Sequence, residues 1–300
     1  MLKLTQVSVC IFLCLIAVCS AQSYWKVGAS QKTILPTVNG TTDYVVPIPP
    51  EDCCSAGTFV QEFDVGEIAV GNGGSSCHWV RDELNVRVAA IGPDPNGKVA
   101  ILVSVEVYML FRNDLQEYYN LVLESIGPVE YENLLFFVHA QHNHEGPDTS
   151  GLNVRPINHE YYSYLLQQMR DATIEAINNM EEAYLFFGQE QFYYGLGDIR
   201  DPLMQDSTLR ILQAYRTPDR TGSPIASIVN WAMHPEITLG YNPTINQKDC
   251  LKLTPPIPNC SADGRYFTHD YPGHFSNVMT DIQGGGVSLY FNGAIGCQIG

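Results

Sequence analysis

Two short stretches of this sequence place histidines where they can do chemistry. The first is Phe136-Phe137-Val138-His139-Ala140-Gln141-His142-Asn143-His144-Glu145-Gly146-Pro147-Asp148. An apolar strand runs into a polar turn. If extended geometry persists to residue 144, His142 and His144 share a face, roughly 7 Å apart at Cα. Two imidazoles at that spacing converge on one small centre, and neutral imidazole is a common zinc ligand. Gly146-Pro147 then turns the chain, leaving the pair at an open strand end, where α/β sheets place ligands. His139 has the opposite parity and is expected to face away, packed or hydrogen-bonded. The competing reading is a coincidental HxH on a surface loop, and the apolar strand before it weighs against that.

The second stretch is Ile228-Val229-Asn230-Trp231-Ala232-Met233-His234-Pro235-Glu236. Again an apolar strand ends in a histidine, and proline stops the strand. Alone, such a His-Pro is more often structural; beside the first motif, His234 becomes a candidate further ligand. A third polar turn, Phe267-Thr268-His269-Asp270-Tyr271-Pro272-Gly273, enters a helix. Asp270 has two readings of equal standing there. It supports a ligand histidine through a hydrogen bond, or it caps the helix.

Other mechanisms fail on spacing. There is no GxSxG elbow for a serine nucleophile, no HExxH helix and no lysine-bearing phosphate loop at Gly71-Asn72-Gly73-Gly74 or Gly284-Gly285-Gly286. A metallo-β-lactamase HxHxDH motif needs Asp and His where this chain has Gly146 and Pro147.

The elements that must carry these turns are legible in outline. Residues 22–57 read as an irregular entry segment with short strands, and 60–70 as a strand. Leu84 to Ile91 and Lys98 to Glu106 flank the turn signal Pro93-Asp94-Pro95-Asn96-Gly97 and read as a hairpin. Asp114 to Ile126 reads as a helix and Leu134 to Ala140 as a strand. Asn158 to Tyr184 reads as one long helix, with Leu165, Met169, Ala172, Ala176 and Met180 on its core face. Leu209–Tyr215, Ile225–Ala232 and Val287–Phe291 read as strands, and Phe275–Ile282 as a helix. This mixture predicts an α/β or α+β domain, a mixed sheet flanked by helices with the metal site at strand ends.

Met1-Leu2-Lys3, the apolar run Val7–Val18 and Cys19-Ser20-Ala21 have the form of a signal peptide over residues 1–21. Secretion is therefore expected. Residues 22–300 form the mature domain, with 15 basic against 32 acidic residues. That acidity gives no footprint for nucleic acid. Six cysteines remain, at 53, 54, 77, 250, 260 and 297. An even number in an exported chain suggests disulfides, with Cys250–Cys260 the first candidate pair. Asn39 and Asn259 head glycosylation sequons. The chain stops at Cys297-Gln298-Ile299-Gly300, directly after a buried-looking strand, and a fragment of a longer protein is expected.

Taken in order, these motifs resemble the N-terminal catalytic domain of neutral/alkaline non-lysosomal ceramidases. That family carries a strand ending in HTHSGPG, later an NW…HP strand end, an Asp-containing turn before a helix, and a glycine-rich strand end like Phe291-Asn292-Gly293-Ala294-Ile295-Gly296. The likeness runs from about residue 60 to the end. It implies zinc as cofactor, His142 and His234 as ligands, and His144 beside the metal to stabilise an oxyanion or move protons. It also implies a Glu and a Tyr ligand farther downstream than residue 300. The reaction implied is hydrolysis of the amide of ceramide or a related N-acyl lipid, with contact at a membrane surface to reach it. Glu145 stands where the family has Ser, and Asp148 where it has Gly. With Asp270, they are candidates for residues behind the ligands or lining the substrate pocket. The alternative from another class is a secreted binding or matrix protein that keeps the fold without turnover, or a metallohydrolase of another ester or amide.

Overall fold

The computed structural model describes residues 25–35, 58–59, 71, 79–80, 82–93, 97–151, 159–193, 196–198, 201–238, 266–296 and 298–299. The leader, the sequons at Asn39 and Asn259, the 60–70 strand and all the mature cysteines lie outside the described residues.

In chain order the strands are β1 (Trp25–Thr33), β2 (Thr58–Phe59), β3 (Trp79–Val80), β4 (Asn85–Pro93), β5 (Val99–Val105), β6 (Leu134–Ala140), β7 (Glu181–Gln191), β8 (Gly197–Asp198), β9 (Thr208–Tyr215), β10 (Ala226–Trp231), β11 (Tyr266–Phe267), β12 (Val287–Asn292) and β13 (Gln298–Ile299). The helices are α1 (Arg112–Ile126), α2 (Pro128–Tyr131), α3 (His159–Asn178) and α4 (Asp270–Ile282). Eight strands form one sheet in the order β12-β10-β9-β7-β1-β4-β5-β6. The pairs β5/β6 and β10/β12 are parallel and the others antiparallel. The class is α+β on a mixed sheet.

Strand β4 explains how the sheet is buried on both sides. Alternate residues point to opposite faces. Val86, Val88 and Ala90 enter one apolar cluster with Leu165, Leu166 and Met169 of α3 and Tyr118 and Val122 of α1. Ala89 and Ile91 enter a second cluster with Val27, Ala183, Ala214, Ala226 and Leu289. Each large side chain fully buried in the first cluster stabilises the fold by roughly 1.5–3 kcal/mol. The second cluster is rich in alanine, which lets opposing parts of the sheet approach closely. Here the sheet curls until edge strand β12 packs over β4 and β5.

Side chains hold that curl closed. Ser104 Oγ donates to the Tyr290 carbonyl at 2.6 Å, and the Asn292 amide donates to His139 Nε2 at 3.3 Å. Asn292 Nδ2 also donates to the Gln141 carbonyl. The curl brings the ends of β5, β6, β10 and β12 to one place.

Three expectations change. The helix expected to reach Tyr184 ends at Asn178, and Glu181–Gln191 is a strand between β1 and β9. Met180 extends the four-residue stripe of α3 and packs on the same core from the turn, so periodicity ran past the real boundary. Residues 25–33 form a nine-residue strand in the middle of the sheet rather than an irregular segment. Its Gly28 permits this, because a Cβ there would lie 2.0 Å from the Ala176 carbonyl oxygen. Finally, α4 begins at Asp270, five residues before the expected start; Pro272 in its first turn is compatible with that position.

Candidate metal centre

Strand β6 ends at Ala140, so His142 and His144 do not lie on an extended strand. His142 instead has φ 59°, in the left-handed region. This kink, rather than strand alternation, turns its ring toward the others. Irregular pairing holds the path: Gln141 N donates to the Val105 carbonyl at 2.8 Å, and Asn143 N to the Val107 carbonyl at 3.2 Å. Fully buried Asn143 staples the segment to the chain before α4. Its Nδ2 donates to the Thr268 carbonyl at 2.6 Å, while its Oδ1 accepts from Glu145 N at 3.0 Å.

His234 arrives from β10. Its backbone amide donates to the Gln298 carbonyl at 2.8 Å, and His144 N donates to the Pro235 carbonyl at 3.2 Å. The two histidine segments, 90 residues apart, are thus tied to each other. Three ring atoms, one each from His142, His144 and His234, lie within 4.8 Å of one another. The ring centroids are 4.7–4.8 Å apart. Among the described residues, this is the group of histidine, cysteine or carboxylate side chains that could hold a metal ion.

The donor set suits a zinc-like ion. His234 Nδ1 lies 3.0 Å from the Ile295 carbonyl. A neutral ring donates Nδ1–H there and leaves Nε2 bare. His234 Nε2 and His144 Nε2 are 2.8 Å apart. Two ligand nitrogens on one tetrahedral zinc would be about 3.3 Å apart for Zn–N bonds of about 2.0–2.1 Å. Charge also favours bare nitrogens. Burial, then His142 and His234, push His144 down to about 3, and burial, then His234, lower His142. Both rings are neutral at pH 7, as ligands must be.

Two nearby groups were not singled out in the sequence. Tyr108 follows β5, stacks on His142 at 4.9 Å and meets His144 edge-on at 5.0 Å. Burial, then Asp148 and Glu236, raise its pKa, so its hydroxyl stays a donor at neutral pH. Glu236 Oε2 lies 3.7 Å from His144 Nδ1 and 3.9 Å from His234 Nε2. The available signals were an aromatic residue three positions past the end of β5 and an acidic residue two positions past His234.

The other expected site residues fall as follows. Asp270, at φ 48°, accepts from Thr238 N at 3.0 Å and Thr238 Oγ1 at 2.7 Å. It anchors the loop after His234 rather than contacting a ligand ring. Its Oδ1 also accepts from the Tyr271 amide. Asp148 Oδ1 accepts from Ser150 N at 2.8 Å, closing the turn after Pro147. Glu145 is buried beside the cluster, and its carbonyl accepts from Thr268 N at 3.1 Å. His139 turns away, accepting from Asn292 N and packing on Phe291 at 5.2 Å.

His139 must stay neutral to accept that bond, and burial, then His142, push it down to about 4. The unfolded value is near 6.5. Between these values the unfolded chain binds protons that the folded chain refuses, so stability falls as pH drops through that window. His144 acts in the same direction. The metal-free protein should lose on the order of 2 kcal/mol per histidine between about pH 7.5 and about pH 5. Urea unfolding at both values tests this; His139→Gln should remove its share, and a flat profile would refute it.

No family model and no curated protein sequence matches the chain. Solved structures do. Neutral ceramidase from Pseudomonas aeruginosa superposes with a TM-score of 0.63 at 12% identity, over 93% of this chain and 40% of that one. A ceramidase complexed with C2 gives a TM-score of 0.63 at 12% identity, covering 93% of this chain and 39% of that one. Fold and site define an α+β domain with a three-histidine centre at its strand ends. Its fold is that of part of neutral ceramidase, and the chain spans about two-fifths of the length of those proteins.

Proposed function

We propose that this chain carries part of the catalytic apparatus of an exported, zinc-dependent hydrolase that cleaves an N-acyl bond in ceramide or a related lipid amide. The observation that carries this reading is the convergence of His142, His144 and His234 at the strand ends of a ceramidase-like fold. His142 and His234 hold the ion, and His144 faces the same centre. A bound zinc ion would polarise the scissile carbonyl and bring the pKa of a bound water toward about 7.

The chain's own groups supply the rest. Ile295 fixes the His234 tautomer, and Asn143 and Thr268 fix the path of the His142–His144 segment. Tyr108, kept protonated and packed against His142 and His144, is the nearby hydroxyl donor for a developing oxyanion; one such donor is often worth about 3 kcal/mol. Glu145 and Asp148 add carboxylates where the resembled family has small neutral residues, which makes ceramide a poorer substrate. The assay is hydrolysis of ceramide and of a panel of N-acyl amides and esters by the longest available form of the protein. Wild type should be active with zinc and inactive after chelation. His142→Ala should be inactive throughout, and Glu145→Ser should turn over ceramide faster. Chelator-resistant activity, or full activity in His142→Ala, would sink the metal mechanism.

A further inference from the structure

The chain leaves regular strand pairing one residue before His142, and a side chain from the opposite edge of the sheet takes over there. Gln141 N still donates to the Val105 carbonyl at 2.8 Å. In a regular parallel ladder the carbonyl of the same residue would accept from a backbone amide of that neighbouring strand. Here the Gln141 carbonyl accepts from Asn292 Nδ2, at the end of β12. A carbonyl only accepts, so the nitrogen of the Asn292 amide faces it and not the oxygen. That carbonyl belongs to the peptide group leading into His142, where φ is 59°.

The Gln141 side chain is held across the same seam. Its Nε2 donates to Ser104 Oγ at 3.0 Å, and Ser104 gives its one hydroxyl proton to the Tyr290 carbonyl of β12 at 2.6 Å. Both side chains are fully buried. Asn292 is meanwhile fixed against the strand that delivers His234. It pairs in register with Trp231 of β10, Gly293 N donates to the Trp231 carbonyl at 2.9 Å, and Asn230 Nδ2 donates to the Phe291 carbonyl at 3.1 Å. A Cβ at Gly293 would lie 2.8 Å from Ala232 Cβ, so the two chains stay in close contact past that pairing. One residue is thus bonded to the segment before His142 and in register with the segment before His234.

We infer that Asn292 is a positioning residue for the metal centre: by holding the Gln141 carbonyl it sets the left-handed turn that aims His142, and by its register with Trp231 it sets that turn at the right distance from His234. This inference rests on the metal reading proposed above. The physical reason lies in the planarity of the peptide group. The φ of His142 is the rotation of its Cα substituents against the plane of the peptide that Asn292 holds, so a group that fixes the plane aims the ring. Zn–N bonds are about 2.0–2.1 Å, and a ring aimed differently no longer reaches an ion held by its neighbour.

The test is zinc and cobalt(II) binding by the whole chain, followed by competition with a chromophoric chelator and by cobalt absorption. Asn292→Leu, which keeps the bulk but has no donor, and Asn292→Ala should each weaken zinc binding about 10- to 100-fold and shift the cobalt band. Two replacements of different size keep the answer from depending on one variant folding, and circular dichroism checks each. Ser104→Ala is the comparison. It breaks a bond across the same seam but leaves the Gln141 carbonyl held, so it should lower stability to urea while zinc affinity and the cobalt band stay as in wild type. If the Asn292 variants bind like wild type while His142→Ala loses metal, this inference fails and the metal site stands. If Ser104→Ala weakens binding as much as Asn292→Ala, the seam acts only as a whole and Asn292 has no positioning role of its own. If wild type binds neither ion, the metal reading falls and this inference falls with it.

Discussion

Replacing His142 with asparagine is expected to weaken metal binding by a factor on the order of a hundred to a thousand, while the metal-free protein stays at least as stable as wild type. Zinc held by protein side chains contributes about 10–16 kcal/mol in total in small metal-folded domains. One ligand of three or four therefore carries about 3–4 kcal/mol, which is that factor in affinity. The stability half of the expectation comes from the backbone. His142 sits at φ 59°, where a non-glycine residue bears roughly 1–2 kcal/mol of steric cost. Asparagine tolerates this conformation better than most residues. Chelator competition and urea unfolding of the metal-free protein measure the two halves. Unchanged affinity would show that His142 is not a ligand, and a clearly destabilised variant would show that the left-handed turn is not strained.

The second large effect lies beneath the site. Arg87 and Glu106 form an ion pair with side chains 1% and 0% exposed. Glu106 Oε2 also accepts from Asn85 N at 2.7 Å. Arg87 reaches Asn277 of α4 at 2.8 Å and Gln31 of β1 at 3.1 Å. One buried pair therefore ties β1, β4, the end of β5 and α4 together, one residue before the Val107–Tyr108 segment that backs the histidines. Breaking it from one side leaves an uncompensated buried charge. Glu106→Leu is expected to destabilise the fold by about 3–5 kcal/mol. Combining it with Arg87→Met should return much of that loss, because no lone charge remains. A double-mutant cycle by urea unfolding reads the difference. A Glu106→Leu cost below about 1 kcal/mol would show that the pair is not the anchor described.

Gly273 belongs to the same arrangement. A Cβ there would lie 2.2 Å from His269 Cβ and 2.9 Å from Glu106 Oε1. The close approach of α4 to Glu106 is open to glycine and to no larger residue without movement. Nothing in the local pattern of Tyr271-Pro272-Gly273 pointed to that contact, because Glu106 comes from a strand far earlier in the chain.

Much of the site was written in short-range pattern. Strand β6 runs over Leu134–Ala140 as its apolar run predicts, and β10 stops before the His-Pro as proline requires. These are local matters of burial and of a missing backbone donor, and they show in a few consecutive residues. The histidines that punctuate both strands were legible for the same reason. What local pattern misjudged was length and geometry. Met180 prolonged a helical stripe beyond a turn, and the kink at His142 replaced the extended path that parity assumed.

The convergence itself belongs to the tertiary structure. His234 meets His144 across 90 residues only because the sheet curls and brings the ends of β6 and β10 together. That curl depends on small residues in the second core and on Ser104, Asn292 and His139 bonding across it. Tyr108, Asn143 and Glu236 carry no motif, since each acts through a neighbour remote in sequence or through a backbone atom. The sequence by itself determined which side chains could bind a metal. The folded sheet decided which of their nitrogens face one another, because the Ile295 carbonyl orients the His234 ring and the Asn143 bond to the Thr268 carbonyl fixes the backbone that carries His142 and His144, contacts that only the closed curl assembles.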